Sequence, residues 1–239
     1  MNVPIQSLWI GPRLSTMERL SIASFLAHDH PFHLYTYEPI DGVPPGTVLL
    51  DANEIIPGSR IFRYTGNGSY AGFANFFRYK LLLDRGGWWV DLDTVCLQPY
   101  RFESDYVFSS EIDHLGQTVA ANCVLKAEPQ SAFASYAWRV CESKDPSALK
   151  WGETGPRLAA EAIRELGLES ALQTPAVFCP LAFDQWERVI DITCSLSFGI
   201  QTRSVHLWHE MWRHYGRDPD APYASDCLYE RLKSRYLPP

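Results

Sequence analysis

The 239-residue sequence has no run of Lys or Arg, and its 28 acidic residues outnumber its 21 basic ones, which gives a net charge of -7 at pH 7. Proteins that bind a nucleic-acid backbone do so through clustered positive charge, so this composition argues against a nucleic-acid partner. An acidic protein can still bind a diphosphate when a divalent cation neutralises it. The charge balance therefore favours a metal site over a basic patch.

Signals for membrane insertion and export are also missing. No apolar stretch is long enough to span a bilayer, and the first residues, Met-Asn-Val-Pro, contain neither a basic region nor an apolar signal core. None of the six cysteines forms a C-x-x-C pair, which argues against a zinc ribbon. Cysteines scattered through apolar segments are typical of buried free thiols in a reducing compartment. We therefore expect a cytoplasmic protein without a transmembrane segment.

The beginning of the chain has the pattern of a β-α-β unit. An apolar run over residues 5–10 ends at a Gly-Pro pair and predicts a strand. Ser15 and Glu18 are spaced as a capping box, which predicts a helix from there to about residue 27. A second apolar run, over residues 32–37, predicts the next strand. Two strands joined by a helix indicate a parallel sheet.

The remaining elements fit the same fold class. Residues 41–58 are rich in Pro and Gly and predict a loop, whereas residues 73–84 have helical periodicity that stops at Gly86 and Gly87. A short strand over residues 88–90 follows. Downstream we predict strands over 106–108, 119–125 and 205–208, and helices over 130–141, 156–166 and 225–236. The sequence thus predicts one α/β domain with a mainly parallel central sheet flanked by helices.

Asp91 and Asp93 directly follow the apolar strand, and their surroundings indicate a site. A helix that leads into a parallel strand runs antiparallel to it, so the helix start and the strand end share one edge of the sheet. Along the helix axis, Arg78 lies about 10 Å from Arg85, at about 1.5 Å per residue. The strand from Trp88 to Asp91 covers about 10 Å in the opposite direction, at about 3.3 Å per residue, so Arg78 and Asp91 should lie at the same height. Asn75 shares the helix face of Arg78. Ligands of open α/β sheets bind at this edge.

The two aspartates predict a cation site. In an extended segment both side chains point the same way, and two ionised carboxylates that close repel each other. A hard divalent cation, Mg²⁺ or Mn²⁺, would remove the repulsion and could hold a diphosphate. Cation and Arg78 charge placed there would favour departure of a nucleoside diphosphate. Two alternatives stay open: a solvated turn for the Asp-x-Asp tripeptide, and a surface ion pair between Arg78 and Asp84.

The stretch over residues 75–93, from Asn75 through Arg78 and the Gly-Gly-Trp-Trp-Val segment to Asp91-Leu-Asp93, resembles the DXD-containing sugar-binding region of glycosyltransferase family 32. That family includes capsular polysaccharide enzymes and, more distantly, resembles the large clostridial glucosylating toxins. The segment Leu-Trp9-Ile-Gly resembles the family's first strand. The resemblance implies a GT-A-like domain, with a nucleotide-sugar-binding half over residues 1–100 and an acceptor-side half with the terminal helix over residues 101–239.

The resemblance also implies site residues. Trp9 would stack on the nucleobase, Arg78 would contact the donor sugar or its phosphate, and Asp93 would bind the metal. Asn75 departs from the Asp common in relatives, because it keeps an acceptor but loses the charge. The implied metal ligands are Asp91, Asp93 and His206. The implied donor-binding residues are Trp9, Gly11, Asn75, Arg78, Trp89, Asp91, Asn122, Trp208 and Trp212. For the tryptophans, Asn122 and His206, plain packing or a structural role is the alternative.

The predicted function is transfer of a sugar from a UDP-sugar, or less readily a GDP-sugar, to a hydroxyl of a saccharide or glycolipid acceptor. Retention of configuration, a need for Mn²⁺ or Mg²⁺, a role in surface polysaccharide synthesis and a peripheral membrane contact follow from the resemblance. Two alternatives remain. Asp91-Leu-Asp93-Thr94-Val95 also fits the signature of haloacid-dehalogenase-like phosphatases, in which Asp91 would be the nucleophile. Asn75 is also compatible with a non-catalytic nucleotide-sugar-binding module.

Overall fold

The computed structural model describes residues 3–193 and 196–237, which contain eight β-strands and seven α-helices. The strands are β1 (Ile5–Trp9), β2 (Phe32–Thr36), β3 (Val48–Asp51), β4 (Gly87–Val90), β5 (Thr94–Cys96), β6 (Val107–Ile112), β7 (Thr118–Ala127) and β8 (Ser204–His206). The helices are α1 (Thr16–Leu26), α2 (Ala71–Arg85), α3 (Ala132–Glu142), α4 (Pro156–Glu165), α5 (Pro175–Phe178), α6 (His209–His214) and α7 (Leu228–Tyr236).

Six strands form the central sheet in the order β3-β2-β1-β4-β7-β6. The first four are mutually parallel, and β7 and β6 continue the sheet as an antiparallel hairpin joined around Gly116. Strands β5 and β8 pair separately as a two-stranded antiparallel ribbon. The predicted β-α-β opening and the α/β class with a mostly parallel sheet are confirmed. The antiparallel pairing of β7 and β6 is not indicated by the sequence.

Both faces of the sheet are covered, because successive side chains of the central strands point in opposite directions. In β4, Trp89 packs on the side of α2, with its ring 6.4 Å from that of Phe77. Its neighbour Trp88 packs on the other side, 5.0 Å from the ring of Tyr100. Helices α2, α3 and α4 cover the first face, and α1 and α5 cover the second. Strand β4 is therefore fixed from both sides just before Asp91.

Helix α2 starts two residues earlier and ends one residue later than predicted, at Ala71 and Arg85. Its end is set by Gly86, whose backbone N–H donates to the carbonyl of Leu82. Gly86 has φ 63° and ψ -162°, a combination that is essentially restricted to glycine. A Cβ at this position would lie 2.4 Å from Cδ of Pro129. Gly86 therefore ends the helix and also lets the β7–α3 connection pack against this corner.

Several short elements differ from the sequence prediction. Strand β3 lies within the Pro- and Gly-rich segment predicted to be a loop, and as an edge strand it leaves Val48 and Leu49 exposed. Strand β5 and helices α5 and α6 are also too short to give a clear periodic pattern. The terminal helix begins at Leu228, three residues later than predicted.

The cysteine and membrane expectations can be compared with the described residues. Five cysteines are buried free thiols, as predicted, namely Cys96, Cys123, Cys141, Cys179 and Cys227. The sixth, Cys194, lies outside the described residues. Among the described helices, none combines the length and apolarity needed to cross a bilayer.

Gly86→Ala should lower the free energy of unfolding by at least about 3 kcal/mol, because it adds a steric overlap with Pro129 to a backbone conformation that alanine avoids. Gly167→Ala is the matched control. Gly167 also follows a helix with positive φ, 64°, but a Cβ there would meet no other atom within 4 Å. It should cost only about 1–2 kcal/mol. Denaturant unfolding of both variants measures the difference, and equal losses would contradict the role given to Pro129.

Candidate active site

The ends of β1 and β4, the middle of β7 and the β5–β8 ribbon surround a cavity of about 530 Å³. This volume is within the range of small-molecule and cofactor sites. Nine of the eleven residues that the sequence singles out line the cavity, which are Trp9, Asn75, Arg78, Trp89, Asp91, Asp93, Asn122, His206 and Trp208. They come from five strands or helices and from the connections between them, so the fold brings together positions up to 199 residues apart in sequence.

Two of the eleven, Gly11 and Trp212, are not among the residues that line the cavity. Gly11 has φ 141°, and a Cβ there would lie 3.4 Å from Nε1 of Trp9. Trp212 is fully buried, donates through Nε1 to the carbonyl of Leu207 at 2.9 Å, and packs 4.9 Å from the ring of Tyr229. Trp212 is thus a packing residue in this structure. Gly11 and Trp212 are therefore not part of the proposed donor site.

Arg78 and Asp91 form a buried ion pair at the floor of the cavity. Arg78, 4% exposed, donates through Nη2 to Oδ1 of Asp91 at 2.6 Å and through Nη1 to the carbonyl of Asn122 at 2.9 Å. Its guanidinium also lies 4.9 Å from the ring centre of Trp89, a cation–π distance. Trp89 Nε1 donates to the same Asp91 oxygen at 2.8 Å. Arg78 lies at the same height as Asp91, as predicted. The alternative ion pair between Arg78 and Asp84 is not formed, because Asp84 pairs with Lys80.

The Asp91-Leu92-Asp93 segment is a turn, so the extended conformation predicted from the sequence is wrong. The turn kept open as the alternative is present, although it is not fully solvated. The N–H of Thr94 donates to the carbonyl of Asp91 at 3.0 Å, and the N–H of Asp91 donates to the carbonyl of Cys123 in β7. Leu92 is buried, which leaves the two carboxylates on the cavity side. They are only partly solvated, with side-chain exposures of 27% for Asp91 and 14% for Asp93.

Asp93 is held by the segment around β8. Thr94 pairs with His206 in the β5–β8 ribbon, and this register brings Nε2 of His206 within 3.1 Å of Oδ1 of Asp93. The other carboxylate oxygen accepts from the backbone N–H of His209 at 2.8 Å. The ring of Trp208 lies 4.0 Å from that of His206 and completes this wall of the cavity. Each aspartate of the turn therefore has its own cationic partner.

This arrangement shifts the pKa values of the two carboxyl groups in opposite directions. Burial raises the pKa of Asp91, and the charge of Arg78 only partly offsets it. Burial also acts to raise the pKa of Asp93, but the charge and hydrogen bond of His206 outweigh it and hold that pKa low. Burial acts to lower the pKa of His206, yet the nearby carboxylate of Asp93 raises it to about 10. In the absence of a cation, Asp93 and His206 are thus a carboxylate–imidazolium pair.

Asp91, Asp93 and His206 fit a divalent cation. Each offers one ligand atom, and these three atoms lie within 4.8 Å of one another. A pair of carboxylate oxygens suits Mg²⁺ or Mn²⁺, and an imidazole nitrogen additionally favours Mn²⁺. Binding through His206 requires its neutral form, so a cation would replace the proton that this site otherwise retains.

The cavity also contains residues that the sequence pattern did not assign to it. Glu18 is predicted only as a capping residue, and its Oε2 does accept from the N–H of Ser15 at 2.7 Å. Its other oxygen lies 3.0 Å from Nδ1 of His209. Trp151, 47% exposed, and Tyr64 stand at the cavity with their rings 5.1 Å apart. Only His209, three residues after His206, had a sequence signal that could have identified it.

The pKa of His206 generates a stability prediction for the metal-free protein. Because the folded pKa of about 10 lies above the ordinary value of 6.5, the stabilisation is complete below pH 6.5 and is lost as the pH rises through 10. The free energy of unfolding in EDTA should therefore fall between pH 7 and 10, and this fall should be smaller in His206→Gln. His33→Gln is the control, since burial lowers the pKa of His33 and its effect lies at lower pH. Identical pH profiles for wild type and His206→Gln would contradict the pair.

Comparison with known proteins supports the fold. No protein-family model matches the chain, and no curated protein matches its sequence. The structure is similar to that of the PaToxG glycosyltransferase, with a TM-score of 0.51 and 15% identity over 71% of this chain and 72% of that one. Two further structures have TM-scores below 0.5, too low to establish a shared fold. They are a transferase with two Cys-to-Ser substitutions (0.48, 10% identity, 69% and 85% covered) and apo-form GlyE, a glycosyltransferase of Streptococcus pneumoniae (0.37, 9% identity, 73% and 45% covered). The chain therefore has a fold that is also found in a glycosyltransferase.

Proposed function

We propose that this protein is a metal-dependent, retaining glycosyltransferase that moves a sugar from a UDP-sugar to a saccharide hydroxyl. The observation that carries the proposal is the cluster of Arg78, Asp91, Asp93 and His206 at the end of β4, inside a cavity of nucleotide-sugar size. A transferase of this kind needs positive charge where the diphosphate leaves and a pocket that holds the sugar. The cluster and the cavity walls provide both.

The nucleobase is assigned to Trp9. This residue ends β1, is half-buried and lines the cavity. Its Nε1 is buried and has no hydrogen-bond partner among the described residues. A half-buried indole on the wall of a cavity offers a flat face on which a base can stack. A pyrimidine base, and hence a UDP-sugar, is the donor implied by the resemblance, with a GDP-sugar as the less favoured choice.

The sugar is assigned to Asn75 and Asn122. Nδ2 of Asn122 donates to Oδ1 of Asn75 at 3.0 Å, so each amide uses one group on the other. The side-chain NH₂ group of Asn75 and the side-chain carbonyl of Asn122 then remain to bond sugar hydroxyls. A Cβ at Gly155 would lie 3.1 Å from Nδ2 of Asn75, so glycine there keeps this amide uncovered. An uncharged Asn75, in place of the Asp common in relatives, can therefore still bind the uncharged hydroxyl groups of a sugar.

The chain's own residues prepare the departure of the diphosphate. Arg78 is fixed by the carbonyl of Asn122, by Asp91 and by Trp89, so its charge needs no reorganisation during the reaction. Asp91, Asp93 and His206 would hold Mn²⁺ or Mg²⁺, which supplies Lewis-acid stabilisation of the leaving diphosphate. Arg78 adds a second positive charge beside this set, so the leaving group would be stabilised by both. We propose that the acceptor attacks from the face that the diphosphate leaves.

The acceptor is assigned to the side of the cavity formed by Tyr64 and Trp151. Trp151 is exposed and its ring lies beside that of the buried Tyr64, and an exposed aromatic face is well suited to stacking on a saccharide ring. We extend the proposal to a saccharide or glycolipid acceptor, a role in surface polysaccharide synthesis, a cytoplasmic location and a peripheral membrane contact. Residues 1–100 would bind the nucleotide-sugar and residues 101–239 the acceptor, although the second part also supplies Asn122 and His206 to the cavity.

The two alternatives are less well supported. A haloacid-dehalogenase-like phosphatase would place its nucleophile after the first strand of the domain, whereas Asp91 follows β4, with three strands before it. Its Oδ1 is also engaged by Arg78 and Trp89. A non-catalytic binding module would have the same cavity, and only turnover distinguishes it from the transferase.

Asp93→Asn should abolish chelator-sensitive release of UDP from a panel of UDP-sugars in Mn²⁺, by at least about 100-fold, because it removes a charged metal ligand. The assay needs no acceptor when the donor is slowly hydrolysed by water. Asp226→Asn is the control, since Asp226 is exposed and outside the cavity. It should release UDP as the wild type does, and EDTA should stop both.

Two results of this assay would contradict the proposal. Full activity of Asp93→Asn would place the site elsewhere. UDP or GDP binding by the wild type, without release from any nucleotide-sugar whether or not an acceptor saccharide is present, would identify the binding module instead.

Trp9→Ala should weaken binding of UDP by about 1–3 kcal/mol, the usual contribution of stacking a base on an aromatic ring, and Trp9→Phe should restore most of it. Trp151→Ala removes an indole from the other side of the same cavity and is the matched control. It should leave the affinity for UDP unchanged in calorimetric titration. If Trp151→Ala lost more affinity for UDP than Trp9→Ala, the nucleotide would bind on the Trp151 side and the proposed assignment of donor and acceptor sides would be reversed.

A further inference from the structure

Two thiols meet directly behind the carboxylate turn. Cys123 lies in β7, where its carbonyl accepts from the N–H of Asp91, and Cys179 follows α5. Their Sγ atoms are 3.3 Å apart, and both residues are buried. Cys123 nevertheless lines the cavity, so one of the two cysteines borders the proposed active site.

His206 connects the dithiol to the carboxylates. Its Nε2 faces Asp93, whereas its Nδ1 is buried and has no hydrogen-bond partner among the described residues. An imidazole nitrogen of His206 and the sulfur atoms of Cys123 and Cys179 lie within 4.8 Å of one another. A buried ring nitrogen without a partner is uncommon, because it forfeits the hydrogen bond that water would provide. A ligand bound between these three residues would satisfy it.

We propose that Cys123, Cys179 and His206 form a second cation site, which binds thiophilic ions such as Zn²⁺. Two sulfurs and one imidazole nitrogen are a soft donor set, whereas the carboxylate oxygens of Asp91 and Asp93 are hard donors. The two sets share one imidazole and select different metals. This inference does not depend on the sugar-transfer function, since it rests only on the donor atoms.

The geometry requires only small shifts. In a tetrahedral Zn²⁺ site with Zn–S distances of about 2.3 Å, two sulfurs are about 3.8 Å apart. The observed separation of 3.3 Å must therefore increase by about half an ångström, which side-chain rotation of Cys123 and Cys179 can supply. Three protein ligands leave the fourth position for water. Cys123 and His206 both line the cavity, so two of the three ligand residues border the proposed active site.

Sharing His206 couples the two sites. An ion bound at Nδ1 would fix the ring whose Nε2 lies 3.1 Å from Oδ1 of Asp93, and so would fix one of the three ligands of the hard-cation site. A soft cation behind the turn would also place its own charge next to that site. Zn²⁺ would in this way act on the metal site of the proposed enzyme without occupying it.

The test is a titration of the reduced, metal-free full-length protein with Co²⁺ under anaerobic conditions, in the presence of a phosphine reductant. Co²⁺ bound by thiolates gives an intense near-ultraviolet charge-transfer band, whereas Co²⁺ bound by carboxylates does not. We expect this band to saturate at one equivalent and to be displaced by Zn²⁺. It should disappear in Cys179→Ser, and competition should show Zn²⁺ binding weakened by more than about tenfold.

Matched variants separate ligation from folding. Cys141→Ser removes a buried thiol in α3, on the other face of the sheet from the dithiol, so it should keep the band. His206→Gln provides a second route in case Cys179→Ser unfolds, as judged by circular dichroism, and should weaken Zn²⁺ binding in the same way. The band's persistence in folded Cys179→Ser would overturn the proposal. Absence of the band in wild-type protein whose six thiols all react with a thiol reagent after unfolding would also overturn it.

Discussion

The buried contact between Arg78 and Asp91 is the interaction on which the site depends. Taking a guanidinium and a carboxylate out of water costs several kcal/mol per ion, so a pair of this kind is maintained only where further partners compensate it. Here the carbonyl of Asn122 and the indole of Trp89 provide that compensation. The pair joins α2, β4 and β7 at one point. Removing either partner would leave the other charge without its partner at the point where these three elements meet.

The turn after β4 places its two carboxylates in different electrostatic environments. Asp91 and Asp93 are neighbours that would repel each other, but each faces a different cation, Arg78 or His206. The burial of Asp91 and the imidazolium beside Asp93 shift the two pKa values in opposite directions. The Asp-x-Asp sequence therefore contains two chemically different carboxyl groups. This difference follows from the long-range packing of β8 and not from the tripeptide.

The sequence predicts the features that depend on residues close together in the chain. The α2–β4 geometry could be derived from helix and strand rises, so the level of Arg78 with Asp91 was predictable. The contact of Asp93 with His206, 113 residues apart, followed only from the family resemblance. The dithiol and the reach of Glu18 to His209 depend on how distant elements pack, which no local pattern encodes. The predicted extended conformation of residues 91–93 is wrong because the N–H of Thr94 bonds back to the carbonyl of Asp91, and the start of β5 that places Thr94 there depends on its pairing with the distant β8.

The antiparallel hairpin of β6 and β7 has a consequence for how the protein can change during evolution. Val124 pairs with Val90 at the end of β4, so β7 continues past the proposed donor residues to Thr118, and Glu111 of β6 lines the cavity beside this extension. The connection of the hairpin lies beyond every residue assigned to the nucleotide. No residue of that connection lines the cavity. Insertions and substitutions there can therefore enlarge the protein next to Glu111 without altering the ion pair or the carboxylate turn. The fold separates the proposed reaction centre from a surface connection that tolerates change.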